Sequence, residues 1–399
     1  MNKRQYIKEL DSISMNAEFK EVIKEKLYNE SIHKHKWNLK VISLCIISAC
    51  IFITIGLYNS KTPNHNPNSQ LPNETPSNSD IPDSQLPTEI PSKFIINNQE
   101  GGGFGFEGIM VKDVSELKTS HPYDLNKSSS KMPVYQNIHK SDGAGIESNP
   151  LSDKEKKELL ISYAKKLQIS DYTFQSNEIE YILKSSICTI KLEQSTSIFI
   201  EFSQEYLQNN KIDMNVKTIQ EGENVTKKLY EKFQNILGIT NPLYHVSYDY
   251  TYDAHKHWEF IVSEKMNNQN DSLIYSLAQH ATFYNDDNGF FWGLRIQLNN
   301  LNTFISDYPI ISLDEAKKRL YEGRFGTTIQ PLEITSIGHV EMTYRISSYT
   351  DYYLPYYRFY VLYEDEESQK SGLKTYVACY VSALPDQYID EDYNEIQFN

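Results

Sequence analysis

Two histidines stand two positions apart in AHKHW, His255 and His257, with Asp253 just before them. Alternate side chains of an extended chain share a face, so the pair could form half of a zinc site, and His245 and His280 are the residues that could complete it. Zinc needs three or four converging ligands. A solvated strand accounts for an i, i+2 pair equally well, so no metal is assigned. Nucleophilic chemistry finds less support. Ser128 and Lys131 fit S-x-x-K but lie in a Ser/Lys-rich loop without helical periodicity, and the chain has no G-x-S-x-G, H-E-x-x-H or C-x-x-C. GGGFGFEG at 101–108 lacks the Gly-Lys-Ser/Thr that a phosphate loop requires and reads as a turn. The acidic clusters EDEE (364–367) and DEDYNE (390–395) lack the alternate spacing and turn glycine of a calcium loop. These residues therefore point away from an enzyme and call for no cofactor.

Beyond residue 58 the chain carries only Cys188 (SSICTI) and Cys379 (TYVACYV), both in strand-like runs. They could pair in an oxidising compartment or sit buried as free thiols.

The elements that must position any site begin with a membrane address. From Val41 to Tyr58 (VISLCIISACIFITIGLY) no charge interrupts an apolar run, long enough at 1.5 Å per residue to cross a hydrocarbon core of about 30 Å. Trp37 and Tyr58 stand at its borders, and Lys34, Lys36 and Lys40 crowd its amino-terminal flank. The positive-inside rule then predicts a single-pass protein of the cell membrane, N-terminus cytoplasmic and C-terminal domain extracellular. A cleaved signal or a lipoprotein box at Ile47–Cys50 fits less well, because the polar lead is long and the apolar run continues past Cys50.

Residues 1–36 read as a cytoplasmic helical segment. Phe19, Val22, Ile23 and Leu27 form an apolar stripe on its second helix, too short to be stable alone, and are the candidate partner-binding residues. The transmembrane helix (37–58) is followed by a disordered Pro/Asn/Ser-rich linker (59–92). The formal net charge is −14, while residues 1–40 are mildly basic, so the remainder is strongly acidic. No Lys/Arg cluster of the kind that phosphates require is present, which excludes nucleic acid as a partner.

The ectodomain opens with a lead-in segment (93–150) containing the strand-like MPVYQN. Three helix-plus-meander units follow, at 151–220, 221–306 and 307–399. Their helices are LSDKEKKELLISYAKKL, with Ser152 and Glu155 in capping-box spacing, VTKKLYEKFQNILG, closed by Gly238, and SLDEAKKRLYEG, with Ser312 and Glu315 in the same spacing. Antiparallel strand patterns fill the rest. The predicted fold class is α+β: repeated helix plus antiparallel β-meander units behind one transmembrane helix. The run YTDYYLPYYRFYVLYEDE (349–366) carries seven tyrosines. Both alternating faces of 356–363 are aromatic or apolar, as in a strand covered on two sides. A tyrosine-rich binding platform is the other reading.

SLDEAKKRL, VEMTYRI, LPYYRFYV and YVACYVSALPDQYI together resemble the last domain of YycH/YycI-type accessory proteins, over residues 307–390, and the helix-plus-meander unit resembles the PepSY-type domain. The layout is also similar to uncharacterised single-pass clostridial membrane proteins. The resemblance implies a non-enzymatic regulator of the two-component or sigma-factor accessory type, with an extracytoplasmic sensing or interaction domain and a protein partner. The alternative it offers is a PepSY-like inhibitor or modulator of an exported peptidase or other cell-envelope enzyme. Neither family's motifs supply a catalytic residue.

Overall fold

A computed structural model of the chain describes residues 90–97, 107–118, 121–127, 129–141, 147–176, 180–329 and 332–392. Residues 1–36 and the apolar run lie outside the described residues. Among those described, no helix is long and apolar enough to cross a membrane.

The elements begin with β1 (Phe94–Asn97), β2 (Gly108–Val111), β3 (Lys131–Gln136) and α1 (Asp153–Lys166). Four strands follow, β4 (Thr173–Ser176), β5 (Tyr181–Lys184), β6 (Cys188–Glu193) and β7 (Ser197–Phe202), then α2 (Gln204–Asn209) and α3 (Ile219–Leu237). Next come β8 (Pro242–Tyr250), β9 (Lys256–Glu264), α4 (Gln269–Ala278), β10 (His280–Asn285), β11 (Phe291–Gln297), β12 (Phe304–Pro309) and α5 (Leu313–Tyr321). The described chain closes with β13 (Ile337–Tyr344), β14 (Tyr352–Tyr353), β15 (Pro355–Tyr363), α6 (Glu366–Lys370), β16 (Lys374–Ser382) and β17 (Ile389–Asp392).

The α+β repeat predicted above does not hold. Strand outweighs helix, and the strands join into shared sheets where separate meanders were expected. β4 to β11 form one eight-stranded antiparallel sheet, order β4-β5-β6-β7-β11-β10-β9-β8. The physical reason is edge pairing. β7 binds β11 through five residue pairs, from Ser197–Gln297 to Glu201–Gly293, so neither predicted meander keeps the open edge an isolated unit would present. The carboxy-terminal strands likewise pair with the lead-in segment. The four-stranded sheet runs β13-β15-β16-β2, the three-stranded sheet β12-β3-β14, and β1 pairs in parallel with β17.

One face of the large sheet is apolar from edge to edge. Phe174, Leu183, Ile190, Ile200, Leu294, Phe283, Phe260 and Val246 lie in one row across all eight strands. The row packs against α1 through Leu160 and Tyr163 and against α3 through Leu229, Phe233 and Ile236. Both helices start where local chemistry dictates. Ser152 and Glu155 close the reciprocal capping box on α1, and Thr218 caps α3 by accepting from the Glu221 amide. Gly238 ends α3 in the left-handed conformation at φ +68°.

Gly222 in the first turn of α3 is fixed by packing. A Cβ there would lie 2.5 Å from Cγ1 of Val246 on β8. In an open helix Gly→Ala gains about 0.5–1 kcal/mol, whereas overpacking costs about 1–3 kcal/mol. Gly222→Ala is therefore expected to destabilise, visible as a lower urea midpoint, and Gly222→Ala with Val246→Ala should recover part of the loss. A midpoint raised by Gly222→Ala alone would contradict this packing.

A second core gathers Leu273, Ile274 and Ala278 of α4, Ala316 and Leu320 of α5, and Met342, Phe359, Val361 and Cys379 of the four-stranded sheet. The tyrosine run is covered on both faces. Tyr357, Phe359 and Val361 of β15 enter this core, and Tyr356 and Tyr360 pack with Phe94, Ile96 and Leu384 on the opposite side. Pro355 is the first residue of the strand, where a missing N–H is tolerated. Cys188 and Cys379 are both buried and free, and burial pushes their thiols up to about 11 and about 12.

Candidate functional site

The large sheet's second face is polar. The row on that side reads His245, Ile261, Thr282, Arg295, Phe199 and Lys191. Over much of it the side chains satisfy one another. Arg295 meets Glu193 at 2.9 Å and lies over the rings of Phe199 and Tyr284, and Lys191 reaches Glu201 at 3.6 Å. Where β8 and β10 carry His245 and His280, this face is partly buried.

His121 completes a group of three partly buried histidines, close enough that their charges would repel. Burial holds His121 well below the usual histidine range, and Arg358 acts the same way. His245 is brought down to about 4 by burial. His280 also falls to about 4, by burial and then by His245, with the carbonyl groups of Leu277 and Ser276 opposing. Nε2 of His121 stands 3.2 Å from Nη2 of Arg358. A guanidinium can only donate, so that nitrogen accepts and the ring is neutral. Arg358 is in turn held by Glu341, fully buried on β13, through Nε at 2.6 Å and through Nη2, with the Tyr360 hydroxyl at 3.3 Å from the same carboxylate. Burial works against the charge of Arg358, and Glu341, Tyr360 and Tyr380 together more than offset it.

Beside this group a cavity of about 470 Å³ opens between the end of the large sheet and the loop after β13. Its walls carry carboxamides, hydroxyls and imidazoles and no Asp, Glu, Lys or Arg. Some of these groups are structural. Asn137 donates to the carbonyls of Ser347 and Thr350 at 3.1 and 2.9 Å, and Asn299 donates to the Ala278 carbonyl at 3.1 Å. Others have no assigned work. The side chains of Gln194, which is exposed, and of Thr196, Gln297 and Ser348, which are partly exposed, make no hydrogen bond among the described residues, and Nδ1 of His280 meets no partner within hydrogen-bond geometry. His139 uses Nδ1 to donate to the Asn149 carbonyl at 3.0 Å, which leaves Nε2 of the neutral ring as an acceptor.

Gln194 is held in the left-handed region, φ +53°, in the turn between β6 and β7, a conformation a non-glycine residue keeps only when its surroundings impose it. Glu147 braces the turn at the next residue, Ser195. Its carboxylate accepts from the Ser195 amide at 2.7 Å and from the Ser195 hydroxyl, which itself accepts from the Leu151 amide at 3.1 Å. A second cavity, of about 630 Å³, lies between the start of α4 and β3. The polar groups there are largely occupied: Asn268 caps α4, and Gln269 and Asn270 donate to the Lys127 and Lys131 carbonyls.

The residues singled out from sequence fall in different places. His255 and His257 are exposed and bind Asp253 and Asp249, at 3.7 and 3.4 Å, away from His245 and His280. Among the described residues no group of three or more His, Cys, Asp or Glu is placed to hold a metal ion. Ser128, Phe19, Val22, Ile23 and Leu27 lie outside the described residues. Gln194, Thr196, Gln297, His139 and Ser348 were not singled out. Each reads locally as an ordinary turn or strand-end residue, and only the pairing of β7 with β11 and the packing of the β13 loop bring them together.

No family model and no curated protein matches the chain. Among solved structures it is similar to an uncharacterized protein from Eubacterium rectale, with 12% identity and a TM-score of 0.31, over 64% of this chain and 84% of that one.

Proposed function

We propose that this chain is a non-enzymatic, single-pass membrane protein whose extracytoplasmic domain binds a small ligand and serves a regulatory partner. The run at 37–58 is the anchor, the segment 59–92 the spacer, and the stripe Phe19, Val22, Ile23 and Leu27 the cytoplasmic docking face. One observation carries the binding reading: a cavity at the junction of two cores in which uncharged polar side chains stand unengaged beside a turn kept in a strained conformation. Junctions between packed units are where ligand sites concentrate, and backbone strain persists where a neighbouring structure holds a side chain in place.

The test uses the full-length chain in cells. Protease added outside should remove residues 93–399 and spare an epitope near residue 5. Thr196→Trp, which fills the cavity, should abolish the regulatory output while surface display and protease resistance stay intact. Digestion of the amino-terminal epitope from outside, or full output from a folded Thr196→Trp protein, would refute the proposal.

A further inference from the structure

We infer that the junction cavity takes an uncharged saccharide, held by Gln194, Thr196 and Gln297 on one wall and by His139 on the other. This deepens the binding reading above and rests on it. Charge comes first. None of the lining side chains is Asp, Glu, Lys or Arg, and a charged ligand would lose hydration there without gaining a counter-ion. The unengaged groups then set the ligand's pattern. A carboxamide offers a donor and an acceptor side by side, Thr196 a hydroxyl that does both, and Nε2 of His139 an acceptor. Ligand hydroxyls, each donor and acceptor at once, answer every one of these.

The rest of the wall is apolar. Leu277 and Ile346 contribute hydrocarbon, and Tyr344 contributes its ring, because its hydroxyl is committed to the Pro133 carbonyl at 2.7 Å. Such a wall suits the C–H face of a sugar ring. The volume of about 470 Å³ lies within the usual range for small-molecule sites. A neutral peptide would match the charge but not the frame. Peptides gain most of their pairing from an open strand edge, whereas the unengaged groups here come from a turn and from strand ends.

The experiment titrates full-length protein, in a detergent without a sugar headgroup, with N-acetylglucosamine, maltose, glucuronate and the capped dipeptide N-acetyl-alanyl-alanine amide, read by calorimetry. Saturable binding of at least one neutral saccharide is expected, with glucuronate at least tenfold weaker. Gln297→Ala should weaken that binding about tenfold, the loss of about 1.4 kcal/mol of hydrogen bonding, and Trp292→Ala on the same sheet should not. Gln194→Gly, which removes the amide and accepts the left-handed backbone, is read alongside, so that an unstable Gln297→Ala does not decide the result. Binding of the capped dipeptide alone, lost in the same variants, would overturn the saccharide and keep the binding reading. Absence of any saturable binding that depends on Gln194 or Gln297 would overturn both.

Discussion

Arg358→Ala is expected to cost the fold about 3–5 kcal/mol, the penalty for leaving a buried charge without its counter-ion. Glu341 is fully buried on β13, and Arg358 reaches it with both Nε and Nη2. Removing the guanidinium leaves a carboxylate in the interior, where it must either stay ionised at high cost or take up a proton. The double variant Glu341→Gln with Arg358→Met should recover more than half of the loss, because a neutral pair of similar volume carries no desolvation penalty. Urea unfolding of wild type, Glu341→Gln, Arg358→Met and the double variant in a double-mutant cycle, with Arg358→Ala alongside, measures this. A single Arg358→Ala variant with an unchanged midpoint would show that the pair is solvated.

Lowering the pH from 7 to 5 should weaken the fold by several kcal/mol. His245 and His280 protonate only near about 4 in the folded state and near 6.5 when unfolded, and His121 is shifted the same way. Between those values the unfolded chain binds more protons, so stability is complete above about 6.5 and falls as the pH drops towards 4. Each such histidine contributes a slope of about 1.4 kcal/mol per pH unit.

The groups facing this trio favour the neutral rings on balance; the Leu277 and Ser276 carbonyls act against this at His280 without reversing it. Arg358 and Arg295 add to the repulsion, and the carboxylate of Glu341 is taken by Arg358. His257, raised by its hydrogen bond to Asp249, opposes the trend. It gains stability on protonation, but one half-solvated residue does not balance three. His245→Gln should flatten the slope by about 1.4 kcal/mol per pH unit. Equal urea midpoints at pH 7 and pH 5 would contradict the burial of these rings.

What sequence revealed of this fold was local. The capping spacings at Ser152–Glu155 and Ser312–Glu315 placed two helix starts, because a cap is written within four residues. The start of α3 at Thr218 escaped notice because Gly222 weakens helix propensity in its first turn, and that glycine answers to Val246, a distant strand residue. α4 was missed altogether. Its apolar residues Leu273, Ile274 and Ala278 look to a core assembled largely from residues beyond 313. The repeat reading failed for the same reason, since nothing local in SIFIEF or FFWGLRIQL says that the two strands will pair. The cavity was least legible. His280 could be suspected as a histidine, but Gln194, Thr196 and Gln297 have meaning only once β7 and β11 lie side by side.

The pairing of β1 with β17 has a consequence for how the protein is made. β1 and β2 find their neighbours on β17 and β16, at the far end of the chain, and β3 lies between β12 and β14. Phe94 and Ile389 are about 300 residues apart, and at roughly 5–20 residues per second the ribosome needs about 15–60 s to travel between them. The strands of the large sheet, residues 173–297, pair only among themselves and can assemble while synthesis continues. The leading strands cannot. They are made first and wait longest, with apolar residues such as Phe94 and Ile96 uncovered until the last stretch arrives. A chain cut short before residue 389 would therefore leave its leading strand exposed as well as losing its own last strand. Completion of the chain therefore sets when its leading strands become safe from aggregation and proteolysis.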